Sequence, residues 1–254
     1  LNIAAQIQAD MLPKIIPPYL NHEAFDLCAT MHPAKEIGGD FFDFFMIDDD
    51  HLALVMADVS GKGVPAALFM VIAKTLIKNR AMMGGTPGSI LHDVNNQLCE
   101  GNDSSLFVTV WLGILELSTG YVSASNAGHE FPAVREPGGT YKLFETEPNP
   151  ALAVMPDMEF TEGGFQLEHL DMLYLYTDGV TEATNINREL YGTDRMLDEL
   201  NKTAGAPANG VLDIMNRSVK EFAGKAPQFD DVTMLCLQYF DRNSELTIEA
   251  STTR

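Results

Sequence analysis

Basic residues are scarce in this 254-residue chain: 16 lysines and arginines stand against 36 aspartates and glutamates, a formal net charge of −20. Nucleic acid and anionic membrane surfaces are held by side chains that neutralise phosphates, so the deficit argues against both as partners of this segment. It also repels an anionic substrate unless local cations intervene. Cysteine is nearly absent. Cys28, Cys99 and Cys236 lie far apart and form no C-x-x-C, which removes a disulfide framework or zinc ribbon and fits a reducing compartment. No run approaches the roughly 18 apolar residues of a membrane helix, and the N-terminus has no basic-then-apolar signal pattern. The expected location is cytoplasmic. A chain that begins at Leu1 reads as an excised piece, with a sensor domain, or a membrane anchor, expected upstream.

What is present is ample apolar material, 46% of residues, for a packed core. Ile3, Ile7 and Met11 form a narrow stripe on a short helix ended by Pro13 and Pro17-Pro18. That stripe suits equally a helix lying on the domain surface and the end of a longer helix that pairs with itself in a homodimer. The expected division is residues 1–19 as an N-terminal linker or dimerisation helix, 20–240 as one domain and 241–254 as a polar tail. Strand patterns occupy 25–31, 41–47, 52–57, 107–117, 121–126, 160–167, 172–176 and 232–240. Helical patterns occupy 65–83, with Ala66, Phe69, Ile72, Ala73 and Leu76 on one face, a segment opened by Thr86 and Pro87, then 195–202 and 208–222. Residues 145–158 read as a loop, and Met70, Met82 and Met83 as gap-fillers between helices. Strands 52–57 and 107–117 are apolar on both faces, as in doubly covered sheets. Strands come in runs and helices in pairs, which predicts an α+β fold of sheets packed face to face with helices outside.

Asp40, Asp58, Asp178 and the Asp230-Asp231 pair each lie at the edge of an apolar strand, mostly beside glycine. Taken alone, Asp58 reads as the cap of a turn or helix. Four such placements converging on one end of a sandwich would instead crowd like charges, tolerable only with protonation or neutralising cations. All-oxygen ligation without His or Cys spacing favours magnesium or manganese over zinc. Two such ions about 4 Å apart would clamp a phosphoryl group and activate water.

The segments EIGGDFFDFF, ADVSGKGVPAALFM, SNAGHEFPAV, YLYTDGVTEATN and FDDVTMLCL occur in the order, and at about the spacing, of the SpoIIE-like bacterial serine phosphatases, a branch of the metal-dependent type-2C protein phosphatases. The resemblance spans roughly residues 10–240. It implies a four-layer α/β/β/α sandwich of two mainly antiparallel sheets. It also implies hydrolysis of phosphoserine or phosphothreonine on a signalling protein, such as an anti-sigma factor antagonist, by a water bridging two divalent cations, Mn²⁺ or Mg²⁺. Asp58 resembles the acid that bridges both ions, with the Val59 carbonyl beside it, and Asp40, Asp178 and Asp230 resemble the other acids. Asp231 counts with the metal-site residues, one step behind, because relatives often have Asn there. Lys35 stands where many relatives place a phosphate-binding Arg, and keeps the charge without the bidentate fork. Ser60 replaces a His proposed as general acid in eukaryotic relatives, and Gly128-His129 replaces the Gly-Asp that helps a third metal bind. His129 is expected either at the substrate or as a structural residue that fixes its loop. Glu182 reads as structural.

Two rivals stand beside the phosphatase: a catalytically silent interaction module with the same fold, and a two-metal hydrolase of nucleotides or nucleic acid, which the charge disfavours. The helices after Pro65 and Pro87 join the Asp58 turn directly, so an upstream sensor that shifts them is expected to move Asp58.

Overall fold

The structure, a computed structural model, describes residues 2–14 and 22–241. The Pro17-Pro18 break and the tail from 242 lie outside them. Short helix α1 (Asn2–Met11) precedes three strands, β1 (Phe25–His32), β2 (Phe41–Met46) and β3 (His51–Val59), then helices α2 (Val64–Ala81) and α3 (Pro87–Cys99). Five strands follow: β4 (Val108–Glu116), β5 (Tyr121–Ala127), β6 (Ala133–Arg135), β7 (Lys142–Leu143) and β8 (Glu162–Gln166). The chain continues through β9 (Met172–Tyr176), α4 (Asp178–Thr181), α5 (Thr193–Asn201), α6 (Ala208–Ala223) and β10 (Val232–Tyr239).

The strands form two five-stranded sheets, ordered β1-β10-β9-β6-β7 and β2-β3-β4-β5-β8, and the paired strands run antiparallel. Period-two alternation assigns each strand's faces. In β3, Leu52, Leu54 and Met56 point between the sheets, with Phe42 and Phe44 of β2, Trp111 of β4, Leu173 and Leu175 of β9, and Leu235 and Leu237 of β10. Ala53, Val55, Ala57 and Val59 point the other way, onto Met70, Ala73 and Ile77 of α2 and Ile90, Leu91 and Val94 of α3. Tyr174, Tyr176, Met234 and Cys236 likewise meet Val211, Leu212 and Met215 of α6. Two helical layers thus cover two sheets, in the α+β, α/β/β/α arrangement expected. Each large apolar side chain so enclosed contributes on the order of 1.5–3 kcal/mol.

Several details depart from the sequence pattern. The buried face of α2 carries Ala66, Ala67, Met70, Ala73, Lys74, Ile77 and Ala81, while Ile72 is exposed and Phe69 and Leu76 are half-buried. The cause is electrostatic. Asp43, on the helix-facing side of β2, is buried, and Lys74 turns inward to place its Nζ 2.6 Å from Asp43 Oδ2. Met70 fills the core, but Met82 and Met83 are solvent-facing, the latter 81% exposed, because α2 ends at Ala81. The turn around Pro137 belongs to a hairpin of β6 and β7, strands too short to show an alternation.

Breaking a buried pair leaves one charge uncompensated. Lys74→Met is expected to lower unfolding stability by about 3–5 kcal/mol in urea titration. Adding Asp43→Ala to the same chain should return part of that loss, since no lone carboxylate then remains.

Candidate functional site

The alternation that fills the space between the sheets also delivers the acids to its end. Residues 52, 54 and 56 continue to Asp58, and 42 and 44 run back to Asp40. One step beyond the last β2–β3 pair, Phe41 with Ala57, Asp40 stands opposite Asp58. On the other sheet the inward series reaches Thr177 after Leu173 and Leu175, and Thr233 before Leu235 and Leu237. Both threonine hydroxyls donate to Asp40 Oδ2, at 2.7 and 2.6 Å, and so tie the first acid to the facing sheet. Asp178 follows Thr177 as the first residue of α4.

Asp230 and Asp231 have different tasks. Asp231 spends its carboxylate on backbone: Oδ1 accepts from the Ala34 N–H at 2.8 Å and Oδ2 from the Gly39 N–H at 3.0 Å. The turn can approach this closely because residues 38 and 39 are glycine. A Cβ on Gly38 would lie 1.9 Å from Asp231 Oδ2, and one on Gly39 2.7 Å from the Val59 carbonyl oxygen. Asp231 therefore shapes the Asp40 turn. Asp230 Oδ2 pairs instead with Lys62 Nζ at 2.9 Å, and the same ammonium donates to the Phe229 carbonyl.

The electrostatics are those of crowded acids. Burial, then Asp58, hold the Asp40 carboxyl well above the usual range against the pull of the two threonines. Burial, then Asp178, raise Asp58 to about 7. Burial, then Asp230, Glu182 and Glu130, raise Asp178 to about 6. Glu130 itself is raised by burial and Glu182. Like charges facing one another this way call for a cation. All-oxygen donors on Asp40, Asp58, Asp178 and Asp230, with the Val59 carbonyl, match a hard divalent ion in kind. Among the described residues no three acidic, histidine or cysteine side chains close on one point. The reason is visible in the partners above, since Asp40 is turned to Thr177 and Thr233 and Asp230 to Lys62.

His129 has an interior position where a substrate contact was one expectation. It is buried and its Nε2–H donates to the Tyr176 carbonyl at 3.1 Å, so Nδ1 accepts from the Thr109 hydroxyl at 2.9 Å. Burial lowers its pKa to about 4, leaving it neutral. Thr109 pairs in register with Asp58, and Tyr176 lies two residues before Asp178. The imidazole therefore pins the two acid-bearing sheets to each other. Ser60 is pinned too, its N–H and Oγ both bonded to Phe107 backbone. Lys35 is exposed and has no ion-pair partner among the described residues. Lys62, Thr109, Thr177, Thr233 and Glu130 join the site unannounced by the acid pattern. For Thr177 and Thr233 the available signal was a hydroxyl in phase with the inward leucines of β9 and β10.

A carboxyl whose pKa is raised on folding weakens the fold once it ionises. The unfolded chain loses these protons near 3.8, the folded one only toward pH 6–7. The contribution to metal-free stability is therefore greatest below pH 4, falls through that window and is flat above it. Asp58→Asn is expected to reduce this fall and to melt above the unaltered chain at pH 8 in EDTA, as read by melting temperatures from pH 4 to 8.

The family model for stage II sporulation protein E matches residues 48–240. Protein IcfG of Synechocystis is 32% identical over 91% of this chain and 40% of that protein. Phosphoserine phosphatase RsbU of Bacillus subtilis is 30% identical over 74% of this chain and 55% of that protein. The chain thus spans about half the length of these curated relatives. The SiaA-PP2C domain of Pseudomonas aeruginosa shares the fold at a TM-score of 0.82 and 21% identity, with 94% of this chain and 95% of that one covered. On the span of the family match, this chain belongs to the SpoIIE family and carries its PP2C-type sandwich.

Proposed function

We propose that the domain is a metal-dependent phosphatase that hydrolyses phosphoserine or phosphothreonine on a signalling protein. The observation that carries this reading is the set of four carboxylates, Asp40, Asp58, Asp178 and Asp230, delivered to one end of the inter-sheet face, the first three with pKa values pushed up by burial and by neighbouring acids. Asp40, Asp58, Asp178, Asp230 and the Val59 carbonyl would hold two divalent cations, Mn²⁺ or Mg²⁺, and Asp231 would keep the Asp40 turn in place. When bound, the ions supply charge that offsets the phosphoryl oxygens and makes water a competent nucleophile near neutral pH. The water oxygen joins phosphorus as the bond to the serine Oγ breaks, and the serine leaves with a proton. Membership of the SpoIIE family and likeness to a relative named a phosphoserine phosphatase support the activity.

A protein substrate is supported by what adjoins the acids. A cleft of about 560 Å³ shares Gly179 and Asp230 with the site and is walled by Val219, exposed Phe229, Arg217 and Lys220. Its apolar floor and two cations suit a phosphorylated segment with apolar and acidic neighbours. A phosphorylated antagonist of an anti-sigma factor is the substrate class that the resemblance suggests, and a cytoplasmic site of action accords with it. No helix among the described residues is long and apolar enough to cross a membrane.

The second reading is a silent interaction module. On its side is the pairing of Asp40 with threonines and of Asp230 with Lys62, without a closed three-acid cage among the described residues. Hydrolysis of p-nitrophenyl phosphate and of a phosphoserine peptide separates the two. Turnover is expected only with Mn²⁺ or Mg²⁺, and Asp178→Asn should reduce it by roughly two to three orders of magnitude, the scale of a lost electrostatic stabiliser. Undiminished turnover in EDTA would sink the mechanism. Peptide binding without metal-dependent turnover would favour the module.

A further inference from the structure

We infer that Gln8, on α1, is a positioning residue for Asp40, so that the domain's hold on a divalent cation depends on the seating of the N-terminal helix. The inference rests on the phosphatase reading for the use of the site and on geometry for the coupling. Gln8 is only 6% exposed. Its Nε2 donates to the Gly38 carbonyl at 2.7 Å, and its Oε1 accepts from the Gly38 N–H at 3.1 Å. Only a side chain with both a donor and an acceptor can close this pair on one backbone residue, and a carboxamide does so in a single plane.

The residue so gripped is two positions before Asp40. Gly38 lies against Asp231, and Gly39 donates to Asp231 and backs onto the Val59 carbonyl. The turn is a thin glycine plank with α1 on one side and the acid cluster on the other. With no Cβ at 38 or 39, the two glycines have no side chains of their own to hold them in register, so beyond buried Ile37 just before them their position depends on Gln8 and Asp231. Asp40 then leaves the plank with Oδ2 committed to Thr177 and Thr233, and a shift of the plank moves that carboxylate relative to Asp58.

Among the described residues, α1 also meets α2, with Ala5 and Met11 half-buried. Ile3 and Ile7 are 79% and 57% exposed, and Leu12, just past the helix, is partly buried against the core. A buried amide beside exposed isoleucines reverses the usual order of an amphipathic helix. Anchoring alone would be met by an apolar residue at position 8. The two hydrogen bonds to Gly38 are what an apolar residue could not supply.

The test uses the whole chain with Gln8→Met, which keeps the length and removes both bonds, Gln8→Glu, which keeps the acceptor and loses the donor, and Ile7→Ala as a control on the exposed face. Mn²⁺ affinity is read by titration calorimetry, and amide exchange at residues 38–40 by NMR on the metal-free protein. The Mn²⁺ dependence of p-nitrophenyl phosphate hydrolysis is measured alongside. Gln8→Met is expected to weaken Mn²⁺ binding about 10-fold, the low end for partners that orient metal ligands. It should also speed exchange at Gly38 and Gly39 and recover most of kcat at saturating Mn²⁺. Gln8→Glu should fall between, and Ile7→Ala should match the unaltered chain. If Gln8→Met does not fold, Gln8→Glu carries the same comparison. A lowered melting temperature with unchanged Mn²⁺ affinity and exchange would assign Gln8 to anchoring alone and overturn the inference. If the unaltered chain binds Mn²⁺ but turns nothing over, the phosphatase reading fails while the affinity comparison still decides Gln8. A chain that binds no Mn²⁺ overturns both.

Discussion

Negative charge held at the open end of an apolar slab is the constraint on which the rest of this structure depends. The space between the sheets is filled by leucine, phenylalanine and tryptophan, and the same alternation that fills it ends in Asp40 and Asp58. Each acid would be cheaper to leave in water, and burial raises the pKa of both. The fold tolerates them through fixed partners: threonine hydroxyls for Asp40, backbone N–H groups for Asp231 and an ammonium for Asp230. Asp58 shares a hydrogen bond with Asp40 and Asp178 accepts one from the Gly179 backbone, yet burial and neighbouring acids outweigh these and raise both toward neutrality. A cation would relieve all of them at once, which ties stability and ligand binding to the same few side chains.

The two sheets must keep a fixed separation at that end, and three polar links between them do this. Thr177 and Thr233 reach across to Asp40. His129 bridges Thr109, beside Asp58, and Tyr176, just before Asp178. Asp231, at the start of β10, holds Ala34 and Gly39 in the connection before β2. Gly179 belongs to the same design, since a Cβ there would lie 1.8 Å from the Asp231 carbonyl. Apolar contacts alone would allow the sheets to slide, whereas directional bonds set both distance and register.

Much of this was legible in the chain. Acids at strand edges, glycines before Asp40 and doubly apolar strands announced both the sandwich and its end. What was not legible depended on partners distant in sequence. The face of α2 could not be read because Lys74 is drawn inward by Asp43, 31 residues away and itself hidden within an aromatic strand. Met82 and Met83 look like core residues until the helix is seen to end before them. His129 has the composition of a catalytic residue, and only its two interior hydrogen bonds give it another role. Gln8 carried no signal at all, being one polar residue in a helix whose isoleucines drew attention to the opposite face.

If the domain hydrolyses phosphoserine as proposed, the same partners narrow where the departing serine would find its proton. Ser60 has its hydroxyl and N–H bonded to Phe107 and a pKa far too high to serve as an acid. His129 is neutral, buried and already donating its one N–H. Tyr176 has its hydroxyl near Glu130, and burial with that neighbouring charge raises its pKa beyond use. The groups that hold protons near neutral pH are the carboxyls themselves, and they can ligate a cation only by giving those protons up. A site that uses Asp40, Asp58, Asp178 and Asp230 to bind metal has none of those four left as proton donors, and Glu130, outside that set and raised by burial and Glu182, is the acid that remains. On that reading, solvent is the other source.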